Sequence, residues 1–417
     1  MSKTAPLFIP SSLPRALGVA CFCIGTLGVP LASSGQGIEP APTPLESVPC
    51  QTNCRPAKLG VRQLQTLVHF SKRLGSHPQS GLIQANDGSF YGTTYDGGRY
   101  NQGTLFRLTP QGQLTTLVHF NGQNGAYPLA ELMQASDGNL YGTTTQGGQR
   151  EQGTLFRLTL AGEFTSLVQF GGQKGSYPSG SLVEGADKTL YGTTQKGGNL
   201  NRCTGGCGTV FGVTLKGSLM TRLEFNKLNG AVPSGVIVDH EGKLWGMTSR
   251  GGENDVGVVF RLDPKGGFAK IVTFNVANGA RPVGRLVQGK DNNFYFYGAT
   301  QTGGDNGQGT LYRLLPTGKL VPLIHFNGAN GANPGSGLVW AKDGFLYGTT
   351  ANAGPSQPGV IFQLSTQGQM RVLAIFRQTD GANPKGVLVQ GQDGFLYGTT
   401  SSGGQYNAGT IFRFRPS

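Results

Sequence analysis

Charged residues are scarce in this chain. Asp, Glu, Lys and Arg make up 13% of its 417 residues and hydrophobic residues 37%, whereas soluble globular domains carry roughly 25% charged residues. Together with 70 glycines, this composition argues against long helices. The glycines follow no strict three-residue period, which excludes collagen, and 23 Phe and 13 Tyr argue against a disordered low-complexity chain.

Runs of basic residues are also missing. The 34 Lys and Arg outnumber the 21 Asp and Glu, for a formal net charge of +13. The basic residues are nevertheless scattered, and no five occur in succession, as they do in arms that bind nucleic acid. We therefore expect a generally basic, solvated surface and no nucleic-acid partner.

Sequence strings of well-known catalytic and metal sites do not occur. The chain has no nucleophile elbow, no HExxH, no P-loop and no EF-hand loop. Its Asp-Gly pairs lack the alternating carboxylates that a Ca²⁺ loop requires. We therefore predict no cofactor, no metal and no catalytic residue.

The amino-terminal segment is typical of an export signal. Two basic residues precede an apolar run over residues 16–32, which small residues follow. We predict a signal peptide over residues 1–34, a Pro-rich linker over residues 35–61, and a periplasmic, cell-surface or extracellular location. The run is short and broken by Gly and Pro, which disfavours an uncleaved membrane anchor. A lipid anchor at Cys21 is a further alternative.

Cysteine is rare, with six in the chain. Signal cleavage would leave four: Cys50, Cys54, Cys203 and Cys207. An even number of cysteines in an exported protein predicts disulfides, here with three possible connectivities. We favour the local pairs Cys50 with Cys54 and Cys203 with Cys207 over a zinc site, because no histidine stands near either pair.

Seven repeats fill the rest of the chain. The string Tyr-Gly-Thr-Thr or a degenerate copy recurs at spacings of 50, 50, 54, 52, 50 and 50 residues, beginning at Tyr91, Tyr141, Tyr191, Trp245, Tyr297, Tyr347 and Tyr397. A loop proline recurs with the same count, at Pro78, Pro128, Pro178, Pro233, Pro282, Pro334 and Pro384. Because the motif and the loop proline each occur seven times, the repeat is established by two independent features.

Each repeat contains four strand-like runs bounded by turn residues. In the second repeat these runs cover residues 131–135, 139–144, 154–159 and 163–170, and Asp137-Gly138 fits a tight hairpin turn between the first two. Such units bury both sheet faces only against neighbouring copies. The pattern predicts an all-β, seven-bladed β-propeller of four-stranded antiparallel blades.

The ends of the repeat region predict how the ring closes. The predicted propeller, residues 62–417, begins with a fourth-type strand over residues 64–70 and ends with a third-type strand over residues 409–414. The N-terminal strand should therefore complete the last blade, which removes two exposed sheet edges.

The repeat units resemble the GloVer repeats of exported bacterial proteins. A typical unit, from Asp393 to Phe414, reads DGFLYGTTSSGGQYNAGTIFRF, and the resemblance extends over about residues 64–417. It implies β-propeller-like repeats, varied C-terminal anchors and no settled biochemical role. Because the chain ends at Ser417, shortly after the last predicted strand, we do not expect anchoring through a C-terminal sorting tail.

Residues that recur in every unit are expected to be structural. We interpret the Tyr of Tyr-Gly-Thr-Thr as a core residue between blades, the Gly as a point of close backbone approach, and the threonines as loop ties through their hydroxyl groups. Function is expected where the symmetry breaks, on the face that carries the two long connections of each blade.

We call this surface the long-loop face. Its candidate binding residues are aromatic or charged: Tyr95, Asp96, Tyr127, Tyr177, Lys196, Arg202, Arg250, Glu253, Asp255 and Arg281. The largest departures from the repeat lie in the third to fifth units, so we expect contacts to centre there.

Three functions fit these features. The leading hypothesis is an exported, monomeric, non-catalytic binding module that recognises a glycan or a protein through the long-loop face. The alternative is an extracellular polysaccharide lyase or hydrolase in the central pocket, with Glu253 and Asp255, or Asp96 and Asp305, as acid and base. The third is a structural envelope protein without a small ligand.

Overall fold

The repeats fold into seven antiparallel sheets, as the sequence predicts. The computed structural model describes residues 64–290, 295–354 and 358–416, which belong to one compact unit, residues 58–417. The predicted signal peptide and linker, together with Cys50 and Cys54, lie outside the described residues.

The strands of the first three blades follow the repeat units. In chain order they are β1 (Gln65–His69); β2 (Ile83–Gln84), β3 (Phe90–Thr94), β4 (Thr104–Leu108) and β5 (Leu114–His119) of blade 1; β6 (Met133–Gln134), β7 (Leu140–Thr144), β8 (Thr154–Leu158) and β9 (Phe164–Gln169) of blade 2; and β10 (Ser176–Pro178), β11 (Val183–Glu184), β12 (Thr189–Lys196), β13 (Thr209–Thr214) and β14 (Leu219–Glu224) of blade 3. A single 3-10 turn (Gly172–Lys174) precedes β10.

The remaining four blades repeat this order. They comprise β15 (Ala231–Val238), β16 (Leu244–Arg250), β17 (Val258–Leu262) and β18 (Phe268–Thr273) of blade 4; β19 (Ala280–Gln288), β20 (Phe296–Thr302), β21 (Thr310–Leu314) and β22 (Leu320–His325) of blade 5; β23 (Ala332–Pro334), β24 (Val339–Trp340), β25 (Leu346–Asn352), β26 (Val360–Leu364) and β27 (Met370–Ile375) of blade 6; and β28 (Val389–Gln390), β29 (Leu396–Thr400) and β30 (Thr410–Phe414) of blade 7.

The N-terminal strand closes the ring. β1 pairs with β30 as the fourth strand of blade 7, in the order β1-β30-β29-β28, with Gln65 opposite Arg413. The Arg413 guanidinium also donates to the Gln65 side chain at 2.7 Å. The core continues across this junction, because the rings of Phe90 in blade 1 and Tyr397 in blade 7 lie 4.2 Å apart.

The recurring tyrosine packs between blades. Tyr91 is fully buried among Leu140, Phe156 and other residues of the next blade. Its hydroxyl donates to the Asp87 carboxylate in the tight turn at 2.8 Å, and four other blades repeat this bond at 2.6–2.9 Å. Blade 4 has Trp245 instead, whose indole N–H donates to Asp239 at 2.8 Å. In these six blades the interface residue is thus an apolar ring with one satisfied polar end.

The glycine beside that tyrosine is required by close packing. A Cβ built on Gly142 would lie 2.5 Å from Cζ of the buried Phe156 ring. The threonines tie the long connections, since the hydroxyls of Thr144 and Thr154 lie 2.9 Å apart and Thr144 donates to the carbonyl of Gln146 at 2.9 Å. These three interpretations of the repeat motif are confirmed.

The innermost strand of blade 2 is shorter than the sequence predicts. It covers Met133–Gln134, whereas the predicted run begins at Glu131. In blade 2, the three residues that follow Pro128 lie outside the ladder and line the centre of the ring. In blades 4 and 5 the innermost strand continues through these positions, with Val236 opposite Gly246 and Val283 opposite Ala299. The side chains at these positions vary from blade to blade.

Candidate functional site

A cavity of about 380 Å³ lies at the centre of the ring, and all seven blades contribute to its lining. The third residue after each loop proline differs between blades: Gly81, Glu131, Ser181, Val236, Arg285, Gly337 and Val387. Five of these seven line the cavity, Val236 and Gly337 being the exceptions. We call this space the central cavity.

One carboxylate and two cations face the central cavity: Glu131, Arg285 and Lys385. The Glu131 carboxylate lies 3.7 Å from the Arg285 guanidinium. It also accepts the Val387 backbone N–H at 3.3 Å and the Ser181 hydroxyl at 3.5 Å. Glu131 therefore contacts residues of three other blades.

Gly81, which has no side chain, leaves room for the Glu131 carboxylate. A Cβ on Gly81 would lie 2.7 Å from Glu131 Oε1 and 2.6 Å from the Val387 carbonyl oxygen. Blade 1 can thus present no larger residue at this position without displacing Glu131.

Amide and hydroxyl groups make up most of the remaining polar lining. Gln195 donates to the Ser179 hydroxyl at 2.8 Å, and Lys385 donates to the Gln79 side-chain oxygen at 3.3 Å. Gln301 also lines the cavity. Side chains that both donate and accept suit a ligand rich in hydroxyl groups.

The central cavity lies next to the long connections. Its lining residues are loop prolines and their close neighbours, or, as with Gln195 on β12 and Gln301 on β20, lie close to the start of the other long connection. Both connections belong to the long-loop face, so the cavity lies towards this face.

The residue before each loop proline has a left-handed backbone. All seven have φ between 53° and 57°: His77, Tyr127, Tyr177, Val232, Arg281, Asn333 and Asn383. Hydrogen bonds hold this conformation, since the Tyr127 N–H donates to the Gln102 carbonyl of the preceding blade at 2.9 Å and its carbonyl accepts from Thr145 at 3.2 Å. The repeated geometry positions seven side chains of five residue types around the ring.

Several sequence-predicted residues meet in pairs on this face. The Tyr95 and Tyr127 rings lie 5.0 Å apart, and the Lys196 ammonium lies 5.0 Å from the centre of the Tyr177 ring. Asp96 accepts from the Ser76 hydroxyl at 2.6 Å and lies 2.8 Å from His77 Nδ1. Arg281 is exposed.

Four predicted residues, Lys196 among them, line a second cavity of about 420 Å³: Lys196, Arg202, Arg250 and Asp255. Arg202 precedes the disulfide between Cys203 and Cys207, which the structure contains as the local pairing predicts. Glu253 contributes to neither cavity lining and lies 3.5 Å from the Lys270 ammonium.

The carboxylates proposed for acid and base catalysis each contact a different partner. Glu253 faces Lys270 at 3.5 Å, while Asp255 accepts the Gly251 N–H at 2.9 Å. Asp305 lies 3.3 Å from His325 and Asp96 lies beside His77. These contacts do not support either carboxylate pair as a catalytic unit.

Sequence reasoning missed Glu131, Arg285 and Lys385. The available signal was the three residues after each loop proline, where the repeats differ in size and charge. Over the residues that the structure describes, no group of three or more His, Cys, Asp or Glu could hold a metal ion. In the same ranges, no helix has the length and apolar character needed to span a bilayer.

Comparison with known proteins identifies the repeats. The Gloeobacter/Verrucomicrobia repeat matches residues 57–204, 203–296 and 295–417, which confirms the resemblance to GloVer repeats. No curated protein matches the chain.

Solved structures share the fold at low sequence identity. Two are extracellular domains of putative hybrid two component systems from B. thetaiotaomicron, with TM-scores of 0.56 and 0.54 and identities of 12% and 13%. Each match covers 85% of this chain, which spans only 40% and 41% of those chains. A putative 6-phosphogluconolactonase from Bacteroides fragilis NCTC 9343 matches with a TM-score of 0.51 and 19% identity, over 76% of this chain and 89% of that one. These likenesses show the propeller fold alone.

Proposed function

The chain belongs to the Gloeobacter/Verrucomicrobia repeat family, and we propose that this member is an exported, non-catalytic, monomeric module that binds a glycan through its long-loop face. The observation that carries the proposal is the central cavity, where amide and hydroxyl side chains from different blades converge. Sugars present many hydroxyl groups that both donate and accept hydrogen bonds, and this lining can satisfy both roles.

Two further features support export. The amino-terminal segment has the pattern of a signal peptide, and two proteins of similar fold are extracellular domains. The disulfide between Cys203 and Cys207 fits an oxidising compartment.

A glycan array probed with the full-length protein tests the proposal. We expect at least one oligosaccharide to bind, and calorimetry to show at least about tenfold weaker binding for Gln195→Leu and Gln301→Leu, since each leaves ligand groups unpaired. Gln367→Leu is the matched control, because Gln367 is exposed in a tight turn of blade 6 and contributes to neither cavity lining.

Two outcomes would replace the proposal. Time-dependent cleavage of a bound oligosaccharide, abolished by Glu131→Gln, would indicate the lyase or hydrolase. An array without binders, together with capture of one protein that the Gln195→Leu variant no longer captures, would indicate a protein ligand instead.

A further inference from the structure

The second cavity, between blades 3 and 4 on the long-loop face, is strongly basic. Four cationic side chains line it, Lys196, Arg202, Lys227 and Arg250, against one acid, Asp255. We call it the basic cavity. Four like charges around one small space repel one another unless an anion offsets them.

The cations of the basic cavity have no carboxylate partner among the described residues. The ion pairs of the described chain involve other side chains. Lys196 contacts the Tyr177 ring, and Asp255 already accepts the Gly251 N–H with Oδ1. These cationic groups are therefore available to bind an anion.

The backbone around the basic cavity is well braced. The disulfide closes the loop after Arg202, and the Cys207 carbonyl accepts the Val232 N–H of blade 4 at 2.9 Å. The Lys227 carbonyl accepts the Gly252 N–H at 2.8 Å. Loops from both blades are thus held before a ligand arrives, which lowers the entropic cost of binding.

The basic cavity adjoins the central cavity. Gln195 and Val232 line both spaces, so the two spaces are direct neighbours, at a separation that an elongated ligand would span. The two ends differ in chemistry, because the central cavity offers mainly amides and hydroxyls and the basic cavity offers cations. An elongated ligand with hydroxyl groups along its length and an anionic group on one unit matches this change from neutral polar lining to cationic lining.

We propose that the basic cavity binds the anionic group of an acidic glycan whose adjoining sugars extend into the central cavity. The proposal rests on the proposed function in taking the ligand to be a glycan. Asp255 favours a sugar over a polyphosphate chain, because its second carboxylate oxygen can accept a sugar hydroxyl, whereas a chain charged at every unit would place a phosphate beside it. The anionic group is a carboxylate or a sulfate ester.

Calorimetry with matched charged and neutral probes tests this. The probes are trigalacturonic acid, its methyl ester, a sulfated disaccharide and inorganic sulfate, each at low salt and in 0.5 M NaCl. We expect an anionic sugar to bind at least about tenfold more tightly than the methyl ester, with the difference reduced at high salt. Preference for trigalacturonic acid or for the sulfated disaccharide identifies the anionic group.

Variants locate the site. Arg202→Gln and Arg250→Gln should each weaken binding of the preferred anionic sugar at least about tenfold, because each removes charge-assisted hydrogen bonds. Arg371→Gln, an exposed arginine on β27 of blade 6, should change it less than twofold. Circular dichroism and thermal melting confirm that all three variants fold.

Specific outcomes would overturn the inference. Equal affinity for trigalacturonic acid and its methyl ester, with no binding of the sulfated disaccharide, would refute it and leave the proposed function intact. Unchanged affinity in Arg202→Gln and Arg250→Gln would do the same. Binding of inorganic sulfate as tight as either sugar would reduce the site to a simple anion site, and tighter binding of a single-stranded oligonucleotide would assign it to nucleic acid.

Discussion

Glu131 of blade 2 and Arg285 of blade 5 meet across the central cavity, with 3.7 Å between the carboxylate and the guanidinium. The pair is asymmetric, since the Glu131 side chain is 14% exposed and that of Arg285 is 43% exposed. Losing the cation therefore costs more than losing the anion, because only the carboxylate is left in a largely desolvated position.

Arg285→Ala should lower the free energy of unfolding by about 1–3 kcal/mol. Glu131→Gln keeps an acceptor for the Val387 N–H and leaves Arg285 facing solvent, so its cost should stay below about 1 kcal/mol. Urea unfolding followed by tryptophan fluorescence measures both. The double variant should be as stable as Glu131→Gln alone, and equal losses in the two single variants would contradict this account.

Gly142→Ala should destabilise the fold by about 1–3 kcal/mol, because the new methyl group would overlap the Phe156 ring. Gly138→Ala is a matched control with a different mechanism: its surroundings are open and its φ is +82°, so the cost is only about 1 kcal/mol of backbone strain. Thermal melting compares them. Adding Phe156→Leu should recover part of the loss in Gly142→Ala but none in Gly138→Ala.

Alkaline pH should weaken the blade interfaces. Burial and the hydrogen bond to Asp87 raise the pKa of Tyr91 to about 12. The folded state binds this proton more tightly than the unfolded chain, so the contribution is complete below about pH 10 and is lost as the pH rises towards 12. Unfolding in urea across this range, with tyrosinate absorbance, measures the loss. Tyr91→Phe should show a shallower decline than the unmodified protein.

Acid pH should destabilise the protein by protonating the aspartates of the tight turns that bind the interface tyrosines. Burial raises the pKa of Asp137, but hydrogen bonds from Tyr141 and Asn139 outweigh it and leave that pKa below its usual value. The stability contribution is therefore present above about pH 4 and decreases as the pH falls below it. Asp137→Asn should flatten this part of the stability curve, and an unchanged acid slope would argue against it.

Cys203→Ser should separate stability from binding. The disulfide spans four positions, so its loss should cost no more than about 2 kcal/mol. Release of the Arg202 loop should nevertheless weaken binding of the preferred anionic sugar severalfold, measured by calorimetry beside thermal melting. Cys207→Ser should cost more stability, since Cys207 is 1% exposed within the core. Undiminished affinity in Cys203→Ser would show that Arg202 is positioned without the disulfide.

Much of the fold could be predicted because each repeated residue meets one local structural requirement. Tyr91 has an aspartate four residues earlier, and Gly142 must face an aromatic ring on the neighbouring strand. The end strands also predicted closure, since a third-type strand without a fourth leaves a partner site for β1. The length of the innermost strand was wrong in blade 2, because Glu131 lines the cavity and does not join the ladder.

The candidate site could be predicted only in part. Lys196, Arg202, Arg250 and Asp255 stood out as departures from the repeat and do line one cavity. Lys227 did not stand out, because its loop resembles those of other blades. Glu131 and Arg285 are separated by three repeats, and only closure of the ring brings them together.

The sequence by itself determined the number of blades, the strand order and the residues of each interface, because these depend on neighbours within about fifty residues that recur seven times. The tertiary structure decided which of the varied side chains converge. Ring closure sets the distances between non-adjacent blades, and the charge and shape of both cavities follow from those distances.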